Sequence, residues 1–304
     1  MRVQEVGLAD LDQIHALTSV CDIADSGEVD LTRDDVRAGL AADGSGAWAL
    51  VDDAGTYQAL VWIERNPARP SQSGEFFVRP GLDPQIAVPL IEQLLRAQAT
   101  DPAGRKLQVF VNATAAEKSA VLRSHGAQVV RYFYKMAVEL PGPTDPVEWS
   151  GDASARRVSD TDADLRQVHA VVTEAFQDHW EPAKTEYGEW VRHLRDRESF
   201  DPSLIWLVDV AGEPAAALIG AGSDGEGFVA TLGVRRPYRG RGLGRDLLRT
   251  AFAEFTRRGL PRAALFVDSA NPTGAVRLYE SVGMSVLSQW DSHEFPAVTP
   301  AAQA

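Results

Sequence analysis

At 304 residues the chain is long for a single core, and its length predicts about two domains. A formal charge of −13 argues against a nucleic-acid partner, because phosphate contacts need an excess of Lys and Arg. No apolar run approaches the roughly 18 residues that a membrane helix needs. One cysteine, Cys21, excludes an internal disulfide and any multi-cysteine metal site, and it is expected as a small buried hydrophobe.

The N-terminus, "MRVQEVGLADLDQIHAL", starts with period two and then turns helical. It has neither a basic segment nor an apolar core for a signal peptide, so a cytoplasmic location is expected. Each half of the chain then reads as strand, helix, helix, hairpin strands, strand, long helix, strand, shorter helix and final strand. "DLDQIHAL" at Asp10 returns as "DLRQVHAV" at Asp164, and "WALVDDAGTYQALV" at Trp48 as "IWLVDVAGEPAAAL" at Ile205. "FFVRPG" at Phe76 meets "LGVRRP" at Leu232, and "QVFVNAT" at Gln108 meets "ALFVDSA" at Ala264. An offset held close to 156 residues over four blocks marks an internal repeat. The expected division is a domain at 1–140, a Pro/Gly-punctuated linker at 141–153, a second domain at 154–295 and a flexible tail at 296–304.

In the second half, Trp206 to Val210 and Pro214 to Gly220 flank the turn dipeptide Ala211-Gly212. A strand is expected from Gly227 to Val234 and a helix from Asp246 to Arg258, its apolar face made by Leu247, Leu248, Ala251, Phe252 and Phe255, with Gly259 closing it. Another strand follows from Ala263 to Val267. Asn271 is expected to cap the next helix, with Pro272 at its first position and Gly283 at its end. The fold class is α+β, a sandwich built twice.

The charge is uneven. Thr231 to Arg262 holds nine arginines against only Asp246 and Glu254, a patch too small for a duplex and large enough for a phosphorylated small molecule. A solvated helix face accounts for Arg249, Arg257 and Arg258, but not for the arginines between the glycines. A helix start offers unpaired amides and partial positive charge. Gly240, Gly242 and Gly244 let a ligand approach that backbone, and Arg239, Arg241 and Arg245 add forked donors. The turn reads as a pyrophosphate cradle. It is not a P-loop, which needs Lys followed by Ser or Thr where Arg245-Asp246 stands, nor a dinucleotide fingerprint, whose third glycine would come one residue later.

"RGRGLG" (Arg239 to Gly244), following "LGVRRPY", resembles the Arg/Gln-x-x-Gly-x-Gly/Ala motif of the GCN5-related N-acetyltransferases. "NPTGAVRLYESVGM" (Asn271 to Met284) resembles that family's second signature. The resemblance covers 154 to 295 and extends weakly to 1–140. A tandem pair with intact motifs in its second copy looks most like the mycothiol synthase group of the family.

The resemblance implies two domains, each a mixed, mostly antiparallel sheet flanked by helices with a splayed central pair of parallel strands. It implies acetyl-CoA as cosubstrate, no metal, and acetyl transfer by direct attack of a primary amine of a small molecule in a ternary complex. Leu232, Gly233 and Val234 would pair with the pantetheine arm. The amides of Arg239, Gly240, Arg241, Gly242, Leu243, Gly244 and Arg245 would hold the pyrophosphate, and Asn271 would hydrogen-bond near the pantetheine. Tyr279 would be the general acid for the leaving thiolate. For the base, the strand "GFVATLGV" carries no Glu, which leaves Glu226, Asp268, His179 or a water relay.

In the first copy Leu82, Asp83, Pro84 and Gln85 replace the arginines and glycines, and Leu122 stands at the tyrosine position. That copy is expected to serve structure or acceptor recognition, and acetyl-CoA to bind once, in a fragment that could start near Ser154. Glu174, Asp178, Glu181, Glu186 and Glu189 among aromatics fit a solvated helix with buried aromatics or a lining for a cationic acceptor. No membrane partner is expected, and the assembly is a monomer or homodimer. A non-catalytic acyl-CoA-binding sensor is the alternative reading.

Overall fold

The computed structural model describes residues 1–298 except 43, 141, 143–146, 150 and 224. In chain order the elements are β1 (Arg2–Val6), α1 (Leu11–Ser26), α2 (Arg33–Ala41), β2 (Gly46–Val51), β3 (Tyr57–Glu64), β4 (Gln72–Val78), α3 (Val88–Ala99), β5 (Leu107–Asn112), α4 (Ala116–Ser124) and β6 (Gln128–Glu139). The second series is β7 (Ala153–Arg157), α5 (Asp162–Ala175), α6 (Tyr187–Arg195), β8 (Ile205–Val210), β9 (Glu213–Ser223), β10 (Glu226–Val234), α7 (Leu243–Arg257), β11 (Arg262–Asp268), α8 (Ala275–Glu280) and β12 (Ser285–Phe295). The order of elements repeats as the sequence periodicity predicts.

The chain divides into Met1–Phe133 with the segment from Ser288, and Tyr134–Leu287. This corrects the contiguous division expected from the linker, because β6 and β12 each begin in one unit and end in the other. In the first unit the strands run β1-β2-β3-β4-β5-β12, and Phe295 of β12 lies in the core. In the second they run β6-β11-β10-β9-β8-β7, and Met136 of β6 lies in the core, with Tyr134, Val138 and Leu140 against it. The backbone amide of Leu140 donates to the carbonyl of Pro261. The expected tail is also corrected in its first part: Gln98 donates to the Pro296 carbonyl at 2.9 Å and Val298 to that of Gly104 at 3.1 Å. Its remainder, 299–304, lies outside the described residues, as does much of the linker.

A fragment starting at Ser154 therefore lacks a core strand. We predict that the fragment 154–287 melts lower, or aggregates more, than the fragment 128–287, which keeps β6; equal melting temperatures would show that β6 adds nothing to this unit.

Each unit carries helices on both faces of its sheet. In the second, α7 and α8 cover one face, and α5 and α6 the other. The turn at Ala211 and Gly212 has φ of +52° and +84°, as a tight hairpin requires. On α7, Leu243, Leu247, Leu248, Ala251 and Phe255 are buried at helical spacing. Phe255 lies over Gly227, where a Cβ would fall 2.4 Å from its ring; that glycine admits a ring whose burial contributes about 2 kcal/mol. The helix closes at Gly259 with φ +77°. Arg257 and Arg258 are not merely solvated: with Arg157 they hold the buried Glu254 at 2.6–2.8 Å, and its carboxyl is held far below the usual range. Cys21 is fully buried, and burial pushes its thiol up to about 12, as expected of a core residue.

Candidate active site

The centre of the second unit is the β10–β11 pair. These parallel strands share ladder pairs only from Glu226↔Arg262 to Phe228↔Ala264, although β10 continues to Val234 and β11 to Asp268. The parting coincides with a bulge in β10 against β9, between Val229 and Thr231. A bulge bends and twists the strand that carries it, so β10 turns away from β11. Leu232, Gly233 and Val234 stay paired with Leu218, Ala217 and Ala216 of β9. On the β11 side they have no ladder partner among the described residues, leaving a slot with backbone groups along its wall.

The slot leads to the glycine turn. Gly240 has φ +76° and Gly242 φ +84°, a region that glycine enters without the Cβ penalty. A Cβ at Gly240 would meet nothing within 4 Å, so the turn is open on that side. Gly242 is the N-cap of α7 and no side chain caps this end, so the first-turn amides face outward uncapped. The helix starts three residues earlier than expected, and Gly244 lies inside it. There a Cβ would come 3.1 Å from Leu278 Cδ2, so Gly244 serves close packing of α7 on α8.

The arginines divide in a way the sequence did not reveal. The Arg239 guanidinium donates to the carbonyls of Val234 (3.1 Å) and Ala175 (3.0 Å) and to Asp178 (2.9 Å). It braces the turn against the end of α5 and is not a free phosphate donor. Arg236 also reaches Asp178, and Arg235 reaches Glu174 at 2.7 Å. Two members of the anticipated acidic lining are thus engaged by the turn, and Arg239 and Arg236 hold the Asp178 carboxyl below its usual range. Arg241 is exposed and paired with Asp152 at 2.7 Å; Arg245 is more than half exposed, 3.6 Å from Asp246. Except for Arg245 and Asp246, these ion-pair partners are tens of residues apart, and no local pattern announces them.

Tyr279 is 8% exposed on α8, and burial alone pushes its phenol up to about 12. Asn271 corrects the capping expectation. Its Oδ1 accepts from the Thr273 amide (2.9 Å) and hydroxyl (2.6 Å), closing a local turn, while Gly274 is the N-cap of α8. Pro272 accordingly precedes the helix.

The base candidates separate. Glu226 lies at the start of β10, opposite Arg262 in the ladder; it pairs with Arg262 and stands 3.8 Å from Lys135. Asp268 ends β11 and accepts from the Ala270 amide. His179 stacks on Phe176, ring centroids 4.1 Å apart. Burial lowers its pKa, while Asp268 and Asp178 oppose that effect and Arg239 adds to it. His179 and Asp268 therefore share one electrostatic environment beside the brace; Glu226 belongs to a separate ion-pair cluster.

The first unit keeps the parting of its parallel pair after Glu75↔Phe110, but β4 shows no bulge against β3. Its turn is self-capped: Asp83 Oδ1 accepts the Gln85 amide at 2.9 Å, and Pro84 has no N–H to offer. Leu122 is fully buried.

Splayed strands, a bulged β10 and an open glycine turn at a helix start define a class of acyl-transfer fold, and the comparisons agree. The Acetyltransferase (GNAT) family profile matches residues 166–284. A mycothiol acetyltransferase of Thermobispora bispora is 30% identical over 257 residues, 79% of this chain and 81% of that protein. One of Thermomonospora curvata is 29% identical over 76% of each chain. The crystal structure of a GCN5-related N-acetyltransferase from Sphaerobacter thermophilus superposes with a TM-score of 0.78 at 26% identity, covering 99% of this chain and 96% of that one. A tandem GNAT protein from the clavulanic acid biosynthesis pathway shares the fold, with a TM-score of 0.72 at 14% identity over 99% of this chain and all of that one. The chain belongs to the GNAT family and is an acetyltransferase. Among the described residues no helix is long and apolar enough to cross a membrane.

Proposed function

We propose that the chain transfers an acetyl group from acetyl-CoA to a primary amine of a small molecule, by direct attack within a ternary complex in the second unit. The observation that carries this reading is the open glycine turn, uncapped at α7 and continuous with the β10–β11 slot. The uncapped amides of the turn and first helical turn suit a pyrophosphate, with Arg241 and Arg245 at its edge. Leu232 to Val234 offer backbone partners to a pantetheine arm, and Asn271 would hydrogen-bond near it. Acetyl-CoA supplies the activated acyl group. An acceptor of the mycothiol-precursor type follows from the relatives' names, and the first unit would then serve structure or acceptor recognition.

His179, with Asp268 beside it, takes the base role better than Glu226, because its depressed pKa keeps the imidazole neutral near pH 7. Tyr279 is assigned to the leaving sulfur. With its phenol raised to about 12 it is a poor proton source for a thiolate of ordinary pKa near ~8.5, so it acts as an oriented hydrogen-bond donor while charge develops. The chemistry predicts a pH dependence. A histidine base works only deprotonated, so kcat/KM falls as pH drops through a value below the ordinary histidine pKa. The His179→Gln variant should lose this acid limb; an unchanged limb would remove His179 from the role.

The direct test is an amine screen with acetyl-CoA, read by free thiol release. At least one amine should give turnover that is lost in a variant of the turn; no turnover on any amine, with acetyl-CoA bound, would count against amine acetylation.

A further inference from the structure

The stretch after α5 joins His179 to the glycine turn. A short 3-10 turn, Phe176–Asp178, follows the helix, and the His179 amide closes it by donating to the Phe176 carbonyl at 3.0 Å. The Phe176 ring stacks on His179, and its edge also meets β10: a Cβ on Gly233 would fall 3.6 Å from Phe176 Cε2 and 3.0 Å from Ala175 Cβ. Glycine at 233 therefore lets the end of α5 close on the strand.

Arg239 holds the same stretch. Its guanidinium donates to the Ala175 carbonyl, just before the short turn, and to Asp178, the neighbour of His179, while a third bond reaches the Val234 carbonyl of β10. A planar fork serves several acceptors at once; an ammonium is a point charge on a flexible stem and fixes them less well. Gly240 follows Arg239 directly, so the brace and the cradle share a backbone.

The charged groups facing the imidazole are Asp268 from the end of β11, Arg239, and Asp178 on its own turn. The two carboxylates favour the imidazolium; burial and Arg239 favour the neutral ring that a base requires. Asp178 is held in addition by Arg236. The repeat isolates the set: aligned by its blocks, Asp22, Asp25 and Asp83 stand in the first copy where Phe176, His179 and Arg239 stand in the second. Stack, base and brace are absent together from the copy whose turn is closed.

We propose that Arg239 is a positioning residue for the base: through Ala175 and Asp178 it fixes where the His179 ring stands and which charges face it, and so ties deprotonation of the acceptor to the turn that holds acetyl-CoA. The proposal rests on the reading of His179 as the base. It gives the arginine that heads the glycine turn a task toward the acceptor rather than the phosphate.

The test follows the His179 ring by NMR in the full chain, with neither cofactor nor acceptor added. The six histidines give separate ring signals, and His179→Gln identifies the one from His179. Removing a nearby cation raises the midpoint of a histidine titration, and removing an anion lowers it. Arg239→Gln should therefore move the His179 midpoint up in pH and Asp178→Asn should move it down. Arg239→Lys, which keeps the charge, should leave it near the parent's. A mere loosening of the stretch would relieve burial and raise the midpoint in all three. Should Arg239→Gln unfold, the downward step of Asp178→Asn decides. In turnover of the amine found by the screen, both Arg239 variants should lower kcat about tenfold or more, and the acid limb should follow the NMR midpoints. Midpoints that stay put, or that rise together in the three variants, overturn the proposal. Opposed midpoints with an unmoved acid limb would show instead that His179 is not the base, which overturns that reading and the proposal with it.

Discussion

Replacing Tyr279 by Phe should lower kcat by about 10²- to 10³-fold and leave acetyl-CoA affinity nearly unchanged, as removal of one donor aimed at developing charge does elsewhere. The ring fills a buried place on α8, which phenylalanine would fill equally, so stability should hardly move. The phenol's raised pKa comes from burial alone, with no charge or hydrogen bond contributing, so the hydroxyl is not committed to the protein before substrate arrives. The parent and variant need comparison in three readouts: kcat on the acceptor found by the amine screen, acetyl-CoA affinity, and melting temperature. A kcat within twofold of the parent would mean that another group or water meets the leaving sulfur.

Replacing Gly242 by Pro should weaken acetyl-CoA binding more than about 100-fold. Gly242 has φ +84°, while proline fixes φ near about −65° and lacks the N–H that the cradle would present. Such a change also strains the start of α7, so Gly242→Asn provides the contrast. Asparagine tolerates the left-handed region and keeps the amide, and it should retain most of the affinity. If both variants bind as the parent does, the turn is not where the pyrophosphate sits. If Asn fails as badly as Pro with the fold intact, close approach rather than the amide is what Gly242 provides.

Much of this was legible along the chain because the signals are local. A helix start behind alternating glycines, an Ala-Gly hairpin turn and a constant repeat offset are patterns within a few residues or a fixed shift, and the structure places the corresponding elements within a few residues of expectation. What was not legible depends on contacts distant in sequence. That Arg239 braces Asp178 and two carbonyls rather than facing a phosphate depends on Asp178 and Ala175, which lie more than sixty residues away. The same holds for Glu226, whose carboxylate is engaged by Arg262 across the ladder. The exchange of β6 and β12 between units left no mark either, since a strand's pattern tells that one face is buried and not which sheet covers it. Asn271 shows a smaller failure of the same kind: an Asx turn and a helix cap use the same side-chain oxygen and begin with the same residues.

The central claim is that one copy of the repeat holds acetyl-CoA and the other, closed by Asp83 and Pro84, does not. Calorimetric titration of the full chain with acetyl-CoA tests it most directly. The geometry predicts a stoichiometry near one per chain, carried by the turn of Gly240 and Gly242; two equivalent sites per chain, or no binding at all, would contradict it.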